Sequence, residues 1–224
     1  MAGVGIDPSG ADGQVPAHLS RPLVHAISIR LVEGADAALL AEAYERNRGH
    51  LAPWEPERDE AFFTAAHQLH IIRAKRAQYE EGTELPWVLV EEDNNNGGEA
   101  EPGGGRIVGT ITLTGIVRGP FLSASLGYWV DGDLRGRGIG SAAVRFAAGY
   151  AERILGLHRI QAATLLHNVA SRLILQRTGF REIGVAPDYL KIAGKWQDHL
   201  LHQLILPAKV STPGFLAKPA PTWG

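Results

Sequence analysis

The stretch from Leu126 to Gly140, LGYWVDGDLRGRGIG, constrains the fold of this chain more than any other. Its apolar start, Leu126–Val130, runs into the turn-prone sequence Asp131–Asp133, which predicts a strand followed by a tight turn. The glycine-spaced segment Arg135–Gly140 then leads directly into an amphipathic helical pattern. The sequence therefore predicts a strand, a glycine-rich turn and a helix start in immediate succession.

This order of elements predicts an anion site that is built mainly from backbone. The first amides of a helix have no partner within the helix and point outward. Glycine lets the backbone approach a bulky anion because it has no Cβ. Arg135 and Arg137 add charge and forked donors that suit phosphate oxygens. The alternative is that both arginines are solvent-exposed residues of a connection that binds nothing.

Two common phosphate-binding motifs do not fit this turn. A dinucleotide fold requires G-x-G-x-x-G, whereas the glycines here are Gly136, Gly138 and Gly140, followed by Ser141. A nucleoside triphosphatase loop requires Gly-Lys followed by Ser or Thr, and the sequence contains no such tripeptide. The spacing that remains is arginine, two residues, glycine, one residue and glycine, starting at Arg135.

The composition predicts one globular domain. A chain of 224 residues with 45% hydrophobic and 21% charged residues can bury a sizeable core. A formal net charge of -2 argues against general nucleic-acid binding, which needs a basic face. Because the chain has no cysteine, disulfides, thiolate zinc sites and a covalent thioester on the chain are excluded.

We expect neither a metal site nor membrane association. The histidine pairs at 67/70 and 199/202 lack a supporting carboxylate pattern, and the second pair falls in a predicted strand, where residues three apart face opposite sides. The first twenty residues show no signal-peptide pattern, and no apolar run approaches the ~20 residues that span a bilayer. The expected location is the cytoplasm.

Three segments differ in composition from the rest. Residues 1–22 are rich in Gly, Pro, Asp and Ala, which predicts a loose arm before a domain at 23–206. Residues 91–106 are acidic and rich in Asn and Gly, which predicts a flexible hairpin loop within that domain. Residues 207–224 are rich in proline and predict an irregular tail.

Periodicity within the domain predicts an α/β fold with a mixed sheet. The predicted order is strand, two helices, three strands, helix, strand, helix and two strands, with a crossover helix directly after the glycine turn. A stiff loop, 50–56, separates the first two helices. The predicted strands are 25–31, 86–90, 107–115, 126–130, 159–165, 180–185 and 200–206, and the predicted helices are 36–48, 59–81, 139–155 and 168–178.

The spacing of Arg135, Gly138 and Gly140 resembles the pyrophosphate loop of the GNAT acyltransferases, which hold the diphosphate of acetyl-coenzyme A at a strand-to-helix turn. Further segments resemble the RimJ/RimL-like branch of that superfamily, which acetylates amino termini of ribosomal proteins and related amines. They extend over about 25–206 and comprise the Gly127-Tyr128-Trp129 strand, the loop His50–Glu55, the strand entry Leu155–Ile160, and a helix with Asn168 and Ser171 that is closed by Gly179-Phe180.

The resemblance implies the GNAT fold, a mixed and mostly antiparallel central sheet of about seven strands, splayed at its middle and flanked by about four helices. It also implies acetyl-CoA as co-substrate, without a metal, entering the splay between the Leu126 and Arg159 strands. The implied coenzyme-binding residues are Tyr128, Trp129, Val130, Arg135, Gly136, Arg137, Gly138, Ile139, Gly140, Ser141, Asn168 and Ser171.

We therefore expect the amine to attack the thioester of acetyl-CoA directly in a ternary complex, because the chain has no cysteine to carry the acetyl group. Ser171 is our candidate to protonate or hydrogen-bond the departing thiolate, and Asn168 to orient the pantetheine arm. The alternative is that Asn168 is only a helix N-cap and that Ser171 accepts a local backbone bond. The general-acid tyrosine of other GNAT branches has no counterpart after Ser171.

The base and the acceptor site are further hypotheses. An α-amino group has a pKa of ~8 against ~10.4 for lysine, so an N-terminal acceptor loses its proton more easily. Glu55 is the candidate base, with water, Glu57 and Asp131 as rivals. Trp54, Glu55 and Tyr128 are the candidate acceptor-site residues, although Trp54 is equally compatible with a role as a core plug.

The implied function is N-acetylation of a protein N-terminus, with an alanine of a ribosomal protein as the family-implied case, by a monomer or a homodimer. A small amine such as an aminoglycoside or a polyamine is an alternative acceptor, and its pocket should be rich in acids. An alternative from another class is a non-catalytic module that binds acetyl-CoA without turnover.

Overall fold

The computed structural model describes residues 20–92 and 105–207, which form an eight-stranded sheet in the order β1-β2-β3-β4-β5-β6-β8-β7 with helices on both faces. The strands are β1 (Arg21–Val24), β2 (Ile27–Leu31), β3 (Leu85–Glu91), β4 (Arg106–Val117), β5 (Ser123–Val130), β6 (Arg159–Leu165), β7 (Arg181–Ile192) and β8 (Lys195–Ile205). The helices are α1 (Ala37–Arg46), α2 (Arg48–Leu51), α3 (Ala65–Glu80), α4 (Ile139–Arg153) and α5 (Val169–Arg177).

The predicted first strand is in fact a hairpin. The chain turns at His25, whose φ of 52° lies in the left-handed region, and β1 pairs with β2 in antiparallel register. Arg21 and Pro22, which the composition placed in a loose arm, belong to β1. The sheet therefore has eight strands where about seven were expected, and the remainder of the predicted arm, 1–19, lies outside the described residues.

The predicted long-looped hairpin joins β3 and β4, whose register closes on the pair Glu91 and Arg106. Most of the predicted loop, 93–104, and the predicted tail from 208 onward lie outside the described residues. The predicted helix 59–81 is interrupted at Thr64, where the backbone is extended and the side chain caps α3 by accepting from the His67 amide. The predicted loop at 50–56 begins later, because α2 extends to Leu51.

The only parallel pairing in the described sheet, between β5 and β6, is short. It runs from Ser123 opposite Arg159 to Ser125 opposite Gln161 and then stops. Beyond this point β5 stays paired with β4, and β6 stays paired with β8. A V-shaped gap therefore opens between Leu126–Val130 and the second half of β6, which confirms the predicted splay.

Side-chain alternation along β5 places Tyr128 and Trp129 on opposite faces of the sheet. Tyr128 packs with the core beneath α4 and α5, in which Trp87 is 1% exposed and meets Phe146 edge-on at 5.6 Å between ring centroids. Trp129 packs with the core beneath α1 and α3, together with Ile72. The gap lies between these two cores, so it connects both faces of the sheet.

A buried carboxylate fixes the turn that follows β5. The side chain of Asp131 accepts hydrogen bonds from Arg46 on α1 and Arg106 on β4, both at 2.9 Å, and from the Asp133 amide at 3.0 Å. Burial alone raises the pKa of Asp131, but the hydrogen bonds from the Asp133 amide and the two arginines outweigh it and lower the pKa to about 2. The next amide, of Gly132, donates to the Asn47 side chain at 2.9 Å.

Replacing this carboxylate should reduce stability in a pH-dependent way. Lowering a pKa from 3.8 to about 2 corresponds to about 2 kcal/mol of folding free energy, present above pH ~4 and lost as the pH falls towards 2. We expect Asp131→Asn to lower the free energy of unfolding by about 2 kcal/mol at neutral pH, and by less at pH 3. Urea unfolding at both pH values measures this difference. The control is Asp133→Asn, which changes an exposed neighbouring carboxylate in the same way. An equal loss at both pH values would contradict it.

Candidate active site

The glycine turn leaves the first amides of α4 open, as the sequence predicted for an anion site. Gly138 is the N-cap residue, with φ of 78°, and no side chain in the described part of the chain caps the helix. The first amide with an internal acceptor is that of Ala142, which donates to the Gly138 carbonyl at 3.0 Å. The amides of Ile139, Gly140 and Ser141 have no acceptor among residues 20–92 and 105–207. They are therefore available to a ligand.

The glycines of this turn are required for different reasons. Gly136 and Gly138 have φ of 80° and 78°, which favours glycine, and a Cβ at either position would meet no atom within 4 Å. The space above them is open to a ligand. At Gly140 a Cβ would lie 2.9 Å from the Ile174 side chain of α5. Gly140 therefore allows α4 and α5 to approach each other.

Both arginines of the turn are exposed beside the open amides. Arg135 is oriented by a bond from its Nε to the Gly132 carbonyl at 2.9 Å. Neither Arg135 nor Arg137 forms an ion pair with any residue that the structure describes, so both charges are available to an anion. His25, which the sequence did not single out, reaches this turn from the β1–β2 hairpin and donates from Nε2 to the Arg137 carbonyl at 3.3 Å.

The start of α5 brings Asn168, Ser171 and Tyr128 together at the edge of the gap. Asn168 is the N-cap, because its side-chain oxygen accepts from the Ser171 amide at 3.1 Å. The Ser171 hydroxyl makes no local backbone bond and instead lies 2.9 Å from the Tyr128 hydroxyl. Burial raises the pKa of Tyr128 to about 12, although the hydrogen bond with Ser171 opposes the shift.

A cavity of about 430 Å³ opens beside Glu55 on the α1 side of the sheet. The Glu55 side chain is 22% exposed, and burial raises the pKa of Glu55 while Arg58, at 3.6 Å, opposes the rise. The cavity is lined by Tyr44, Arg48, Leu51, Ala52, Glu55, Pro56, Glu57, Arg58, Phe62, Phe63 and Ala193. A half-buried carboxylate with a raised pKa in a cavity can accept a proton.

The cavity is connected to the central strand through Tyr44. Trp129 on β5 donates from Nε1 to the Tyr44 hydroxyl at 3.1 Å. Burial and the nearby charge of Glu55 raise the pKa of Tyr44 to about 12. The Ala193 amide, at the tip of the β7–β8 hairpin, donates to the Glu55 carbonyl at 3.0 Å. Neither Tyr44 nor Ala193 was among the predicted site residues, and the β7–β8 hairpin is longer than the predicted strands 180–185 and 200–206.

The three predicted acceptor-site residues do not come together. Glu55 lines the cavity, whereas Tyr128 does not line it and packs on the opposite face of the sheet. The centroids of the Trp54 and His167 rings are 5.3 Å apart, so Trp54 packs against the loop before α5. Among the rival bases, Asp131 is already bound by two arginines, whereas Glu57 lines the cavity beside Glu55.

Two general findings concern the described ranges, 20–92 and 105–207. They contain no group of three or more His, Cys, Asp or Glu side chains arranged to hold a metal ion. None of their helices has both the length and the apolar character needed to cross a bilayer.

The family assignment follows from comparison with known proteins. The family model of the acetyltransferase (GNAT) domain matches residues 27–181. The [ribosomal protein uS5]-alanine N-acetyltransferase of Escherichia coli strain K12 is 34% identical over 184 residues, covering 80% of this chain and 87% of the relative. The probable N-acetyltransferase YjcK of Bacillus subtilis strain 168 is 30% identical over 181 residues, which cover 81% of this chain and 94% of the relative. The chain belongs to the GNAT acetyltransferase family, as its motifs predicted.

Solved structures agree with this assignment. The ribosomal-protein-S5-alanine acetyltransferase of Vibrio fischeri matches with a TM-score of 0.75 and 32% identity, over 84% of this chain and 96% of the other. RimJ of Mycobacterium smegmatis, in complex with CoA-disulfide, matches with a TM-score of 0.73 and 31% identity, over 83% of this chain and 86% of the RimJ chain. The predicted GNAT fold and the resemblance to the RimJ/RimL-like branch are confirmed.

A carboxylate placed above the open amides should strongly weaken anion binding. We expect Gly138→Glu to weaken binding of coenzyme A, whose diphosphate suits these amides, by more than tenfold in isothermal titration. Gly119→Glu is the matched control, because Gly119 also has a positive φ, 71°, with no atom within 4 Å of a Cβ, but lies in the β4–β5 turn. Both substitutions carry the same backbone strain, so equal loss of affinity in the two variants would contradict the assignment of the anion site.

Proposed function

We propose that this chain is an acetyl-CoA-dependent N-acetyltransferase that acetylates the α-amino group of a protein N-terminus. The gap between β5 and β6 is the observation that carries the proposal. The open amides of α4 and the Ser171 hydroxyl lie on one side of it, and the Glu55 cavity lies on the other. Donor and acceptor can therefore approach one point from opposite faces of the sheet.

The donor is held by backbone groups in this proposal. The diphosphate occupies the amides of 139–141, with Arg135 and Arg137 beside it. The pantetheine arm follows the edge of Leu126–Val130, where pairing with β6 has ended. A strand amide near Trp129 or Val130 donates to the thioester oxygen and stabilises the negative charge that develops there.

The acceptor amine reaches the thioester from the Glu55 cavity. As the neutral nitrogen attacks, the C–N bond forms, the C–S bond breaks, and its electron pair goes to the sulfur. The nitrogen then releases a proton, which the Glu55 carboxylate accepts directly or through water. The acetyl group passes straight from sulfur to nitrogen, because the chain has no cysteine to carry it.

The charges around the cavity favour a peptide acceptor over a polycation. Its two acids, Glu55 and Glu57, are balanced by two arginines in the same lining, Arg48 and Arg58. The Arg48 guanidinium lies 4.0 Å from the centroid of the Phe63 ring, and that of Arg58 lies 4.3 Å from the centroid of the Phe62 ring. A polyamine or an aminoglycoside would require an acid-rich wall, because each of its ammonium groups needs a compensating charge. A single amine at the end of a peptide does not.

The relatives support the same acceptor class. The E. coli relative and the V. fischeri structure are both named for acetylation of an alanine of ribosomal protein S5. We therefore propose that the acceptor of this chain is a ribosomal protein with an N-terminal alanine. The enzyme would act in the cytoplasm, where ribosomal proteins are made. As with its relatives' substrates, the reacting group is an amine on a protein.

Thiol release from acetyl-CoA measures the proposed activity directly. The acceptors are peptides that begin with Ala, Ser, Met or Gly, the same peptides with a blocked N-terminus, spermidine and an aminoglycoside. We expect release with free α-amines, fastest with alanine, and none with the blocked peptides. Release only with the polycations would support the small-amine alternative. Coenzyme binding without release on any acceptor would support the non-catalytic module.

Replacing the proposed base should change both the rate and its pH dependence. We expect Glu55→Gln to lower kcat/KM roughly 100-fold for an alanine peptide, in the range of general-base catalysis. Below pH ~8 the amine becomes protonated and both enzymes lose activity. The wild type should show a second, steeper loss as the pH falls through the raised pKa of Glu55, which the variant lacks.

Glu57→Gln is the matched control for this substitution, because Glu57 lines the same cavity but is exposed. It should keep the wild-type rate within about threefold and should still show the second, steeper loss of activity at low pH. If Glu57→Gln lacks this second loss and Glu55→Gln shows it, the base is Glu57 rather than Glu55.

A further inference from the structure

The hydroxyls of Tyr128 and Ser171 form a pair at the edge of the gap, 2.9 Å apart. Tyr128 comes from β5 and Ser171 from the first turn of α5, so the pair joins the two elements that border the proposed thioester site. The general-acid tyrosine of other GNAT branches has no counterpart in α5 after Ser171. The structure supplies the phenol from the strand instead.

The Ser171 amide donates to the Asn168 side chain at 3.1 Å. The single hydrogen of the Tyr128 hydroxyl faces two acceptors on Ser171, the serine oxygen at 2.9 Å and the carbonyl oxygen at 3.4 Å, and the shorter distance favours the serine oxygen. The serine hydroxyl is the part of this residue that remains free to turn. When Tyr128 donates to the serine oxygen, the serine hydrogen must point away from Tyr128.

Proton transfer from Tyr128 to the leaving sulfur is unfavourable. Burial raises the pKa of Tyr128 to about 12, whereas an ordinary thiol has a pKa of about 8.5. A phenol with so high a pKa stays protonated beside a thiolate and acts as a hydrogen-bond donor. A hydroxyl that accepts one hydrogen bond also becomes a better donor in the next, since chains of hydrogen bonds polarise one another.

We propose that Tyr128 is a positioning residue, which donates to the Ser171 oxygen and thereby fixes the Ser171 hydroxyl as a hydrogen-bond donor to the departing sulfur. This inference rests on the proposed function. As the C–S bond breaks, its electron pair goes to sulfur, and the hydrogen bond from Ser171 stabilises the charge. No proton leaves the Tyr128–Ser171 pair, because the proton of the reaction is the one released by the amine.

A double-mutant cycle separates this role from a structural one. The variants are Tyr128→Phe, Ser171→Ala and the double variant, assayed by thiol release with an alanine peptide. We expect Tyr128→Phe to lower kcat about tenfold while the affinity for coenzyme A stays within twofold of wild type. Ser171→Ala should lower kcat by at least as much. In the Ser171→Ala background, Tyr128→Phe should cause no further loss, because the group it positions is absent.

Tyr150→Phe is the control, because Tyr150 is a half-buried tyrosine of α4 whose pKa is likewise raised to about 12 by partial burial, but it contacts Trp87 rather than the gap. Its kcat should equal that of wild type. If Tyr128 only supports packing, Tyr128→Phe will lower the rate equally with and without Ser171, and such additive losses would overturn the inference. An unchanged kcat in Tyr128→Phe, or a loss confined to coenzyme affinity, would do so as well.

Failure of the proposed function gives a different result. In that case the wild type binds coenzyme A but releases no thiol with any acceptor, and the positioning role is refuted together with it. A wild type that turns over normally, with additive effects in the cycle, refutes the positioning role alone.

Discussion

The end of pairing between β5 and β6 is the constraint on which the rest of this molecule depends. Two parallel strands that stop bonding after Ser125 and Gln161 must separate, because each remains held by an antiparallel neighbour on its other side. The separation exposes strand edge within a protein interior, where unpaired backbone groups are costly unless a ligand pairs with them. A bound pantetheine arm would satisfy those groups, which is why we place the proposed cofactor site at this interruption of the sheet.

The surroundings of the gap are rigid, although the gap itself is open. Asp131 binds Arg46 and Arg106, which ties the turn after β5 to α1 and β4. Close contact at Gly140 seats the start of α4 against α5. The amides that face the ligand are therefore oriented before it binds, and little ordering remains to oppose binding.

Much of the fold and the uncapped start of α4 could be predicted from the sequence. The strand 159–165 is observed as predicted, and the glycine turn lies at the start of α4. These features are local, since periodicity and turn chemistry act over a few residues. The proposed acceptor cavity could not be predicted in this way. Trp54, Glu55 and Tyr128 were grouped, yet only Glu55 lines the cavity, because residues far apart in the chain share a site only through the packing of whole elements.

The sequence by itself determined most of the order of elements, the glycine turn at the start of α4 and the lack of a cysteine that could carry an acetyl group. These depend on residue types and on spacing along the chain. Tertiary structure alone decided that Tyr128 meets Ser171, that Trp129 bonds to Tyr44, and that the β7–β8 hairpin reaches the Glu55 loop. Strand alternation sends neighbouring side chains to opposite faces, but what each face meets is set by the helices packed on it. Those contacts join residues 43 to 138 positions apart, beyond the reach of any local pattern.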